Sequence, residues 1–369
     1  MDYPIFIDRI EEYDLAQTEH YFQRVLQELY PVHSPFGKGK KVLIKPNLLA
    51  PKPPEDAITT HPVVIEGLIR ALRDHGGDIS IGDNTPVFNQ GHTMQKTRLG
   101  PLLKKYNIGH YRFQNFIEYK SPSGHFSFQA PGDLDQFDHI INAAKLKTHG
   151  MMLTTLCVKN MYGCISTPQR IHFHFQADLQ KLFFARMLLE LYILFKPTLN
   201  ILDGIVIHEG NGPSSGQPKS IGLLAASENG IALDYSLNQA FNFPYDNPLN
   251  QVIESDYQKE IRDFSFPWLT AGDFPLTSVI PPDHFENRSL AFRGGVIKHT
   301  YQYLFMNRPQ IDKGICTNCR LCIKHCPVNA INQDRNINYF KCIRCFCCQE
   351  LCPYQAVKTK KPIISLFHK

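Results

Sequence analysis

Nine of the eleven cysteines lie in one short segment of the chain, between Cys316 and Cys352. Eight of them form two runs with the same spacing, in which gaps of two, two and three residues separate four cysteines and a proline follows the fourth. The runs are Cys316, Cys319, Cys322 and Cys326, and Cys342, Cys345, Cys348 and Cys352. Such a repeated thiol pattern predicts a segment that folds around iron–sulfur clusters.

The spacing matches that of bacterial ferredoxin-type modules with two [4Fe–4S] clusters, in which the fourth cysteine of each run serves the other cluster. Three closely spaced thiolates surround one face of the cluster, and the longer gap before the proline turns the fourth thiolate away. We therefore predict crossed ligation. The first cluster is assigned Cys316, Cys319, Cys322 and Cys352, and the second is assigned Cys342, Cys345, Cys348 and Cys326.

Zinc is the alternative, because two Cys-x2-Cys pairs can hold one tetrahedral ion. Zinc would leave the third and fourth cysteines and the proline of each run unexplained. Cys347 interrupts the pattern and receives no role. A disulfide scaffold normally accompanies a secretion signal, and the first residues lack a basic segment followed by an apolar run. We therefore expect a cytoplasmic protein whose clustered cysteines bind metal.

The cysteine-rich segment is strongly basic. Residues 308–369 contain 11 Lys and Arg against 3 Asp and Glu, whereas the whole chain has a net charge of +5. Each oxidised cluster with its thiolates adds roughly −2, so the loaded module remains cationic. A cationic surface favours an anionic docking partner, and we expect a redox partner protein.

Residues 1–285 are predicted to form an α/β domain. Apolar runs typical of buried strands begin at Lys41, Asp78, His139 and Leu199, and a helix is predicted over 62–75. Alternating strands and helices favour a mostly parallel sheet covered on both faces. Residues 286–307 are predicted to be a connector whose apolar patch, Tyr301–Met306, docks the two parts, and residues 308–369 a small α+β ferredoxin-like domain.

Polar residues follow each predicted strand. They are Lys45 to Asn47, Asp83, Lys145 to His149, and Asp203. Open α/β sheets build binding sites at the carboxyl ends of their strands, and lysines so close to buried strands are costly unless an anion uses them. The alternative is that strands simply end in polar turns.

Several segments resemble the domain of unknown function 362 family, whose members often carry a C-terminal two-cluster module. These segments are Val42–Asn47, Thr59–Pro62, Ile141–Gly150, Val158–Cys164, Leu202–Gly204, Glu209–Pro213 and Ala232–Asp234. The resemblance implies this two-part architecture but no substrate.

Within these segments we select six candidate catalytic residues, namely Lys45, Asn47, Lys145, Lys147, His149 and Lys159. The lysines offer point charges for a carboxylate or phosphate, the asparagine offers hydrogen bonds, and the histidine can transfer protons near neutral pH. The 210–216 segment reads equally as a ligand-binding loop or an ordinary turn. His172 and His174 would share a face on a strand and could bind metal, although a solvent-facing pair is the commoner arrangement.

The first hypothesis is an iron–sulfur oxidoreductase in which two [4Fe–4S] clusters exchange electrons with an anionic small molecule bound in the α/β domain. The second is a non-catalytic electron carrier whose large domain docks a partner protein, and the third is a binding protein with structural or sensing clusters. We expect no nucleic-acid partner, because Phe340 and Phe346 are predicted to pack on the clusters. We also expect no membrane span, since the most apolar stretch, 182–195, is short and contains charges.

Overall fold

The computed structural model describes residues 3–85, 89–177, 180–241, 243–268, 278–282 and 306–361. Nearly all of the predicted connector, including Tyr301 and the rest of the apolar patch before Met306, lies outside these residues. The strands are β1 (Tyr3–Pro4), β2 (Phe6–Arg9), β3 (Lys41–Pro46), β4 (Asp78–Ile81), β5 (Gly109–His110), β6 (Phe116–Lys120), β7 (Ser127–Pro131), β8 (His139–His149), β9 (Leu153–Thr155), β10 (Leu199–Glu209), β11 (Gln217–Ser227), β12 (Phe264–Ser265), β13 (Arg308–Ile311) and β14 (Val357–Lys360). The helices are α1 (Leu15–Leu29), α2 (Pro62–Arg73), α3 (Gln90–Lys96), α4 (Leu99–Tyr106), α5 (Cys157–Asn160), α6 (Thr167–Ala177), α7 (Lys181–Phe195), α8 (Gly230–Ala240), α9 (Pro248–Asp256), α10 (Leu321–Lys324) and α11 (Cys347–Glu350).

The main sheet has the strand order β2-β11-β10-β8-β3-β4-β5, and β9 pairs with the end of β8. The five strands from β10 to β5 are parallel, whereas β11 and β2 form an antiparallel edge. The predicted mixed α/β fold with a mostly parallel sheet is confirmed.

Helices cover both faces of this sheet, as expected for parallel strands. Helices α1 to α4 pack on one face against side chains such as Val42, Ile44 and Ile141. Helices α5, α7, α8 and α9 pack on the other face, where Leu43 and Ala144 point. Successive side chains of each strand therefore point to opposite faces of the sheet. This alternation decides which face each lysine of β3 and β8 reaches.

Two strands are longer than the apolar runs that predicted them. Strand β8 continues through Lys145 and Lys147 to His149, and β10 continues through Asp203 to Glu209. The polar residues expected after these strands therefore lie within them. The register explains how this is tolerated, because Asp203 of β10 stands opposite Lys145 of β8 and the two charges neutralise each other.

Helix α2 begins as predicted, with Pro62 in its first turn, and the Nδ1 of His61 accepts a hydrogen bond from the Val63 amide. The apolar stretch after residue 180 forms the buried helix α7. Within the described part of the chain, no helix has both the length and the apolar character needed to cross a membrane.

The cysteine-rich module repeats its own backbone geometry. Strands β13 and β14 pair antiparallel at its base, and a short helix contains the third cysteine of each triplet. Positive φ angles recur at equivalent positions of the two halves, in the pairs Asn318 and Arg344, Arg320 and Phe346, and Asn329 and Gln355. Such left-handed residues turn the chain sharply, so each triplet curls around one point.

Candidate functional site

The cysteines form two groups. Cys316, Cys319, Cys322 and Cys352 line a single cavity. Burial raises the pKa of the Cys348 thiol most, and the nearby thiols of Cys345, Cys342, Cys322 and Cys326 raise it further. The first assigned set thus lines one cavity, and Cys326 lies near Cys342 and Cys348 of the second run, as crossed ligation predicts.

Backbone amides also point at the two crossing cysteines. The Ala330 N–H donates to Sγ of Cys326, and the Ala356 N–H donates to Sγ of Cys352, both at 3.2 Å. Converging thiols with N–H donors to sulfur are the donor set of a [4Fe–4S] cluster, so these residues fit that group.

The two groups differ in their surroundings. In the first group Cys319 is exposed. In the second group Cys348 lies in α11, whose neighbouring residues Gln349 and Glu350 accept hydrogen bonds from Ser214 of the α/β part. The second group therefore lies on the side of the module that contacts the large domain.

Lys45 is fully buried on the α5 face of the sheet. Its Nζ lies 2.7 Å from Oδ1 of Asp83, which is itself 6% exposed. The close approach needs a glycine, because a Cβ on Gly163 would lie 2.8 Å from the Lys45 Nζ. The charge of Lys45 is therefore neutralised by an internal carboxylate.

Lys145 forms a second internal pair on the opposite face, beside α1 and α2. Its Nζ lies 2.9 Å from Oδ2 of Asp203, and both side chains are 0% exposed. The Tyr13 hydroxyl donates to Asp203 and accepts from Lys145, and the His61 amide also donates to Asp203. Burial lowers the pKa of Lys145 while Asp203 opposes the shift. The structure thus does not bring Lys45 and Lys145 into one site.

Lys147 lies between these pairs, near the end of β8. Its Nζ donates to Oδ1 of Asn47 and to the carbonyl of Ile58, both at 2.8 Å. Both acceptors are neutral. Burial lowers the pKa of Lys147 well below its usual value, and the neighbouring Lys159 and Lys145 lower it further.

A chain of asparagine amides holds Asn47 in position. Each Nδ2 donates to the next acceptor, in the order Asn47, Asn160, Asn142, Asn200 and the hydroxyl of Tyr192. The amide of Asn47 is consequently oriented with its oxygen towards Lys147. Because buried amides must satisfy their hydrogen bonds, this network fixes one arrangement of the strand ends.

His149 connects the sheet to the cysteine module. Its Nδ1 accepts from the amides of Met151 and Met152, so Nε2 carries the proton and faces Oε1 of Glu350 at 3.0 Å. Burial raises the pKa of Glu350, but His149, His174 and Lys159 together hold it well below its usual range. The module therefore places a buried carboxylate at the lysine-rich edge of the sheet.

Lys159, in α5, faces the same carboxylate. Burial lowers its pKa, and Glu350 and Cys347 oppose that shift. Its Nζ also lies 5.7 Å from the centre of the Tyr162 ring. Lys147, His149 and Lys159 thus surround the point where α11 meets the α/β part.

The glycine-containing segment 210–216 is largely buried, unlike an ordinary surface turn. Ser214 is buried, donates to carbonyls of α11, and accepts at its own carbonyl from Nε2 of Gln355 at 2.8 Å. A Cβ at Gly212 would lie 1.9 Å from the Thr148 carbonyl, so glycine is required there. This segment docks the cysteine module.

The shared face considered for His172 and His174 is not found. His172 and His174 lie on helix α6 rather than on a strand, with His172 exposed and His174 buried against Phe184. Residues two apart on a helix point in different directions, so they do not share a face. Phe340, which is predicted to pack on a cluster, is 77% exposed.

Glu350 is the functional residue that the sequence analysis missed. It is one of only three acidic residues in residues 308–369, and it lies between the last two cysteines of the second run. That isolated acid in a basic module was the available signal. Tyr13, which contacts Lys145 and Asp203, had no such signal in the sequence, because it precedes α1 in a segment without a recognisable motif.

Comparisons with known proteins match both parts of the chain. Residues 42–237 match the family described as domain of unknown function (DUF362), and residues 308–353 match a 4Fe-4S dicluster domain. A thylakoid-associated protein of Synechocystis sp. is 31% identical over 228 residues, which cover 62% of this chain and 71% of the relative. Pyruvate synthase subunit PorD of Methanothermobacter marburgensis is 37% identical over 54 residues, which cover 15% of this chain and 67% of the relative.

One similar solved structure is the lactate racemase apoprotein from Thermoanaerobacterium thermosaccharolyticum. It aligns with a TM-score of 0.41 at 13% identity, and the alignment covers 62% of this chain and 55% of the racemase chain.

Proposed function

Because the chain belongs to the DUF362 family and has a 4Fe-4S dicluster domain, we propose that it is an iron–sulfur oxidoreductase acting on an anionic small molecule. The two crossed cysteine sets hold the two [4Fe–4S] clusters, each of which supplies one-electron transfer. The α/β part holds the small molecule at the lysine-rich edge of its sheet.

The observation that carries the proposal is the contact between His149 and Glu350. Glu350 follows Cys348 by two residues, and His149 ends the strand that contains Lys147. The contact between His149 and Glu350 thus joins the second cysteine set to the lysine-rich edge. Fixed proximity of this kind raises the effective concentration of donor beside acceptor.

We assign anion binding to Lys147 and Lys159. Lys45 and Lys145 are committed to internal carboxylates, whereas Lys147 donates only to neutral oxygens in its described contacts. A carboxylate or phosphate near Lys147 would gain a charge-assisted hydrogen bond. His149, with its proton on Nε2, is positioned to deliver a proton at the same edge.

The test uses anaerobically purified protein with chemically reduced clusters. A panel of small carboxylates and phosphate esters is added separately, and the EPR signal of the reduced clusters is followed. A substrate should remove the signal in wild-type protein. Lys159→Met should weaken binding of that anion by about 1–3 kcal/mol, the scale of one charge-assisted hydrogen bond.

The matched control is Lys120→Met, because Lys120 is an exposed lysine at the end of β6. It should bind the anion like wild type. Equal weakening in both variants, or a signal unaffected by every anion in the panel, would count against the proposal.

A second function, a non-catalytic electron carrier, is favoured by the internal pairing of Lys45 and Lys145. These two lysines are neutralised within the protein and need no anionic ligand. The role of the large domain would then be to dock a partner protein. Cluster signals that respond to a partner carrier protein but to no small anion would support this alternative.

A further inference from the structure

The cavity of the first cysteine set opens at the surface of the module. Besides its four cysteines, it is lined by Arg320, Arg335 and Tyr354. Arg320 is exposed, and Tyr354 is 48% exposed. Ile315, which precedes Cys316, is also exposed. Cationic, aromatic and aliphatic side chains therefore surround the first cluster position, and we call these four residues the outer rim.

The composition of the outer rim is that of a protein-binding surface. Arginine and tyrosine are enriched at the centres of protein interfaces, where they combine apolar area with directional hydrogen bonds. An exposed isoleucine beside them adds apolar area. A small-molecule site would not need an exposed isoleucine outside the cavity.

The charge around the rim is mainly positive. Lys313, just before the first cysteine run, and Lys324, within it, are both exposed. Of the three acidic residues in residues 308–369, Glu350 is turned inward against His149, and Arg308 and Arg344 are buried as well. The accessible charges up to residue 361 are therefore eight lysines and arginines against Asp312 and Asp334. The accessible surface of the module therefore remains strongly cationic.

The other side of the module is already occupied. Helix α11 and Gln355 contact Ser214 and His149 of the α/β part. A partner that approaches the module meets the first cluster position before the second, so the first cluster is the outer one.

From this arrangement we propose that the outer rim is the docking surface for an acidic one-electron carrier protein, such as a ferredoxin or flavodoxin with carboxylates around its redox centre. The proposal deepens the proposed function by naming its partner. One electron leaves the reduced carrier, and one oxidised cluster of this protein gains it, so that no other reactant is required. Opposite charges accelerate such encounters and make them sensitive to salt.

The test measures binding of an acidic plant-type [2Fe–2S] ferredoxin to the holoprotein under anaerobic conditions by isothermal titration calorimetry. The wild-type affinity should fall steeply between about 20 mM and 500 mM salt, because the Debye length shrinks about five-fold over that range. The double variant Arg320→Glu/Arg335→Glu should bind at least about ten-fold more weakly at low salt, with a flattened salt dependence.

The control is Lys104→Glu/Lys120→Glu, which changes the net charge by the same amount on exposed residues of the α/β part. Iron content and the EPR spectrum of each variant verify that both clusters are retained. Unchanged affinity in the rim variant, or an equal loss in the control, would overturn the proposal. Stronger binding of the wild type to anionic phospholipid vesicles than to the ferredoxin, lost in the rim variant, would also overturn it.

The docking test and the small-molecule test fail independently. Chemically reduced clusters can still be oxidised by an anion if no carrier binds at the rim. Conversely, a carrier can bind at the rim when no anion is a substrate.

Discussion

Replacing Lys145 with methionine should expose the cost of the buried pair it forms with Asp203. Both side chains are 0% exposed and lie 2.9 Å apart. Removing one partner of such a pair typically destabilises a protein by 3–5 kcal/mol, because an uncompensated charge stays buried. Tyr13 and His61 still donate to the carboxylate, so we expect the lower end, about 3 kcal/mol.

The reverse replacement, Asp203→Asn, should be less costly and should depend on pH. The remaining lysine can lose its proton, and burial already lowers the pKa of Lys145. The unfolded chain then binds more protons than the folded one at any pH between the lowered pKa and the ordinary value of about 10. The stability of this variant should therefore rise with pH across that window.

The double variant Lys145→Met/Asp203→Asn contains no buried charge at this position. It should be destabilised by less than the sum of the single variants, with a coupling of about 2 kcal/mol. Urea unfolding of the anaerobic holoprotein provides the free energies, followed by the fluorescence of Trp268. This is the single tryptophan, and its ring lies 4.7 Å from Phe6 of the core. A coupling below about 0.5 kcal/mol would refute the reasoning, because independent sites are additive within that margin.

Three further predictions concern the module and its surroundings. Cys326→Ala should remove the cluster assigned to the second triplet and Cys352→Ala the cluster assigned to the first, as seen by iron analysis and EPR; loss of each run's own cluster would contradict crossed ligation. Burial raises the pKa of Asp234 to about 7. The contribution of the protonated Asp234 to stability is therefore present at low pH and is lost as the pH rises through about 7. Asp234→Asn should flatten the dependence of the urea midpoint on pH above about 4. His149→Phe should speed amide hydrogen exchange in α11 because Glu350 loses its 3.0 Å partner, whereas His149→Gln, which keeps an N–H donor, should change it less; equal exchange in both variants would contradict this.

Much of the architecture was readable from local pattern. The helix at Pro62 and the strands beginning at Lys41 and Asp78 follow from residue order within one turn or one strand, so neighbouring residues contain the signal. The ferredoxin-type module was readable for the same reason, since its metal-binding pattern is a spacing of nearby residues.

The lengths of β8 and β10 were not readable in this way. A lysine after an apolar run usually ends a buried strand, because an isolated buried charge is too costly. Here the strand continues because Asp203, 58 residues further along the chain, stands beside Lys145. The free-energy cost of burying Lys145 therefore depends on Asp203, which lies beside it only when the sheet has formed.

The sequence by itself determined that this chain combines a parallel α/β sheet with a cluster-binding module, and that lysines gather near the strand ends. Only the tertiary structure decided what each lysine faces. It directs Lys45 and Lys145 to opposite faces with their own carboxylates and leaves Lys147 on neutral oxygens. It also brings Glu350 of the distant module to His149. Charge–charge energies depend on distance and burial in space, and neither quantity is written in the order of residues along a chain.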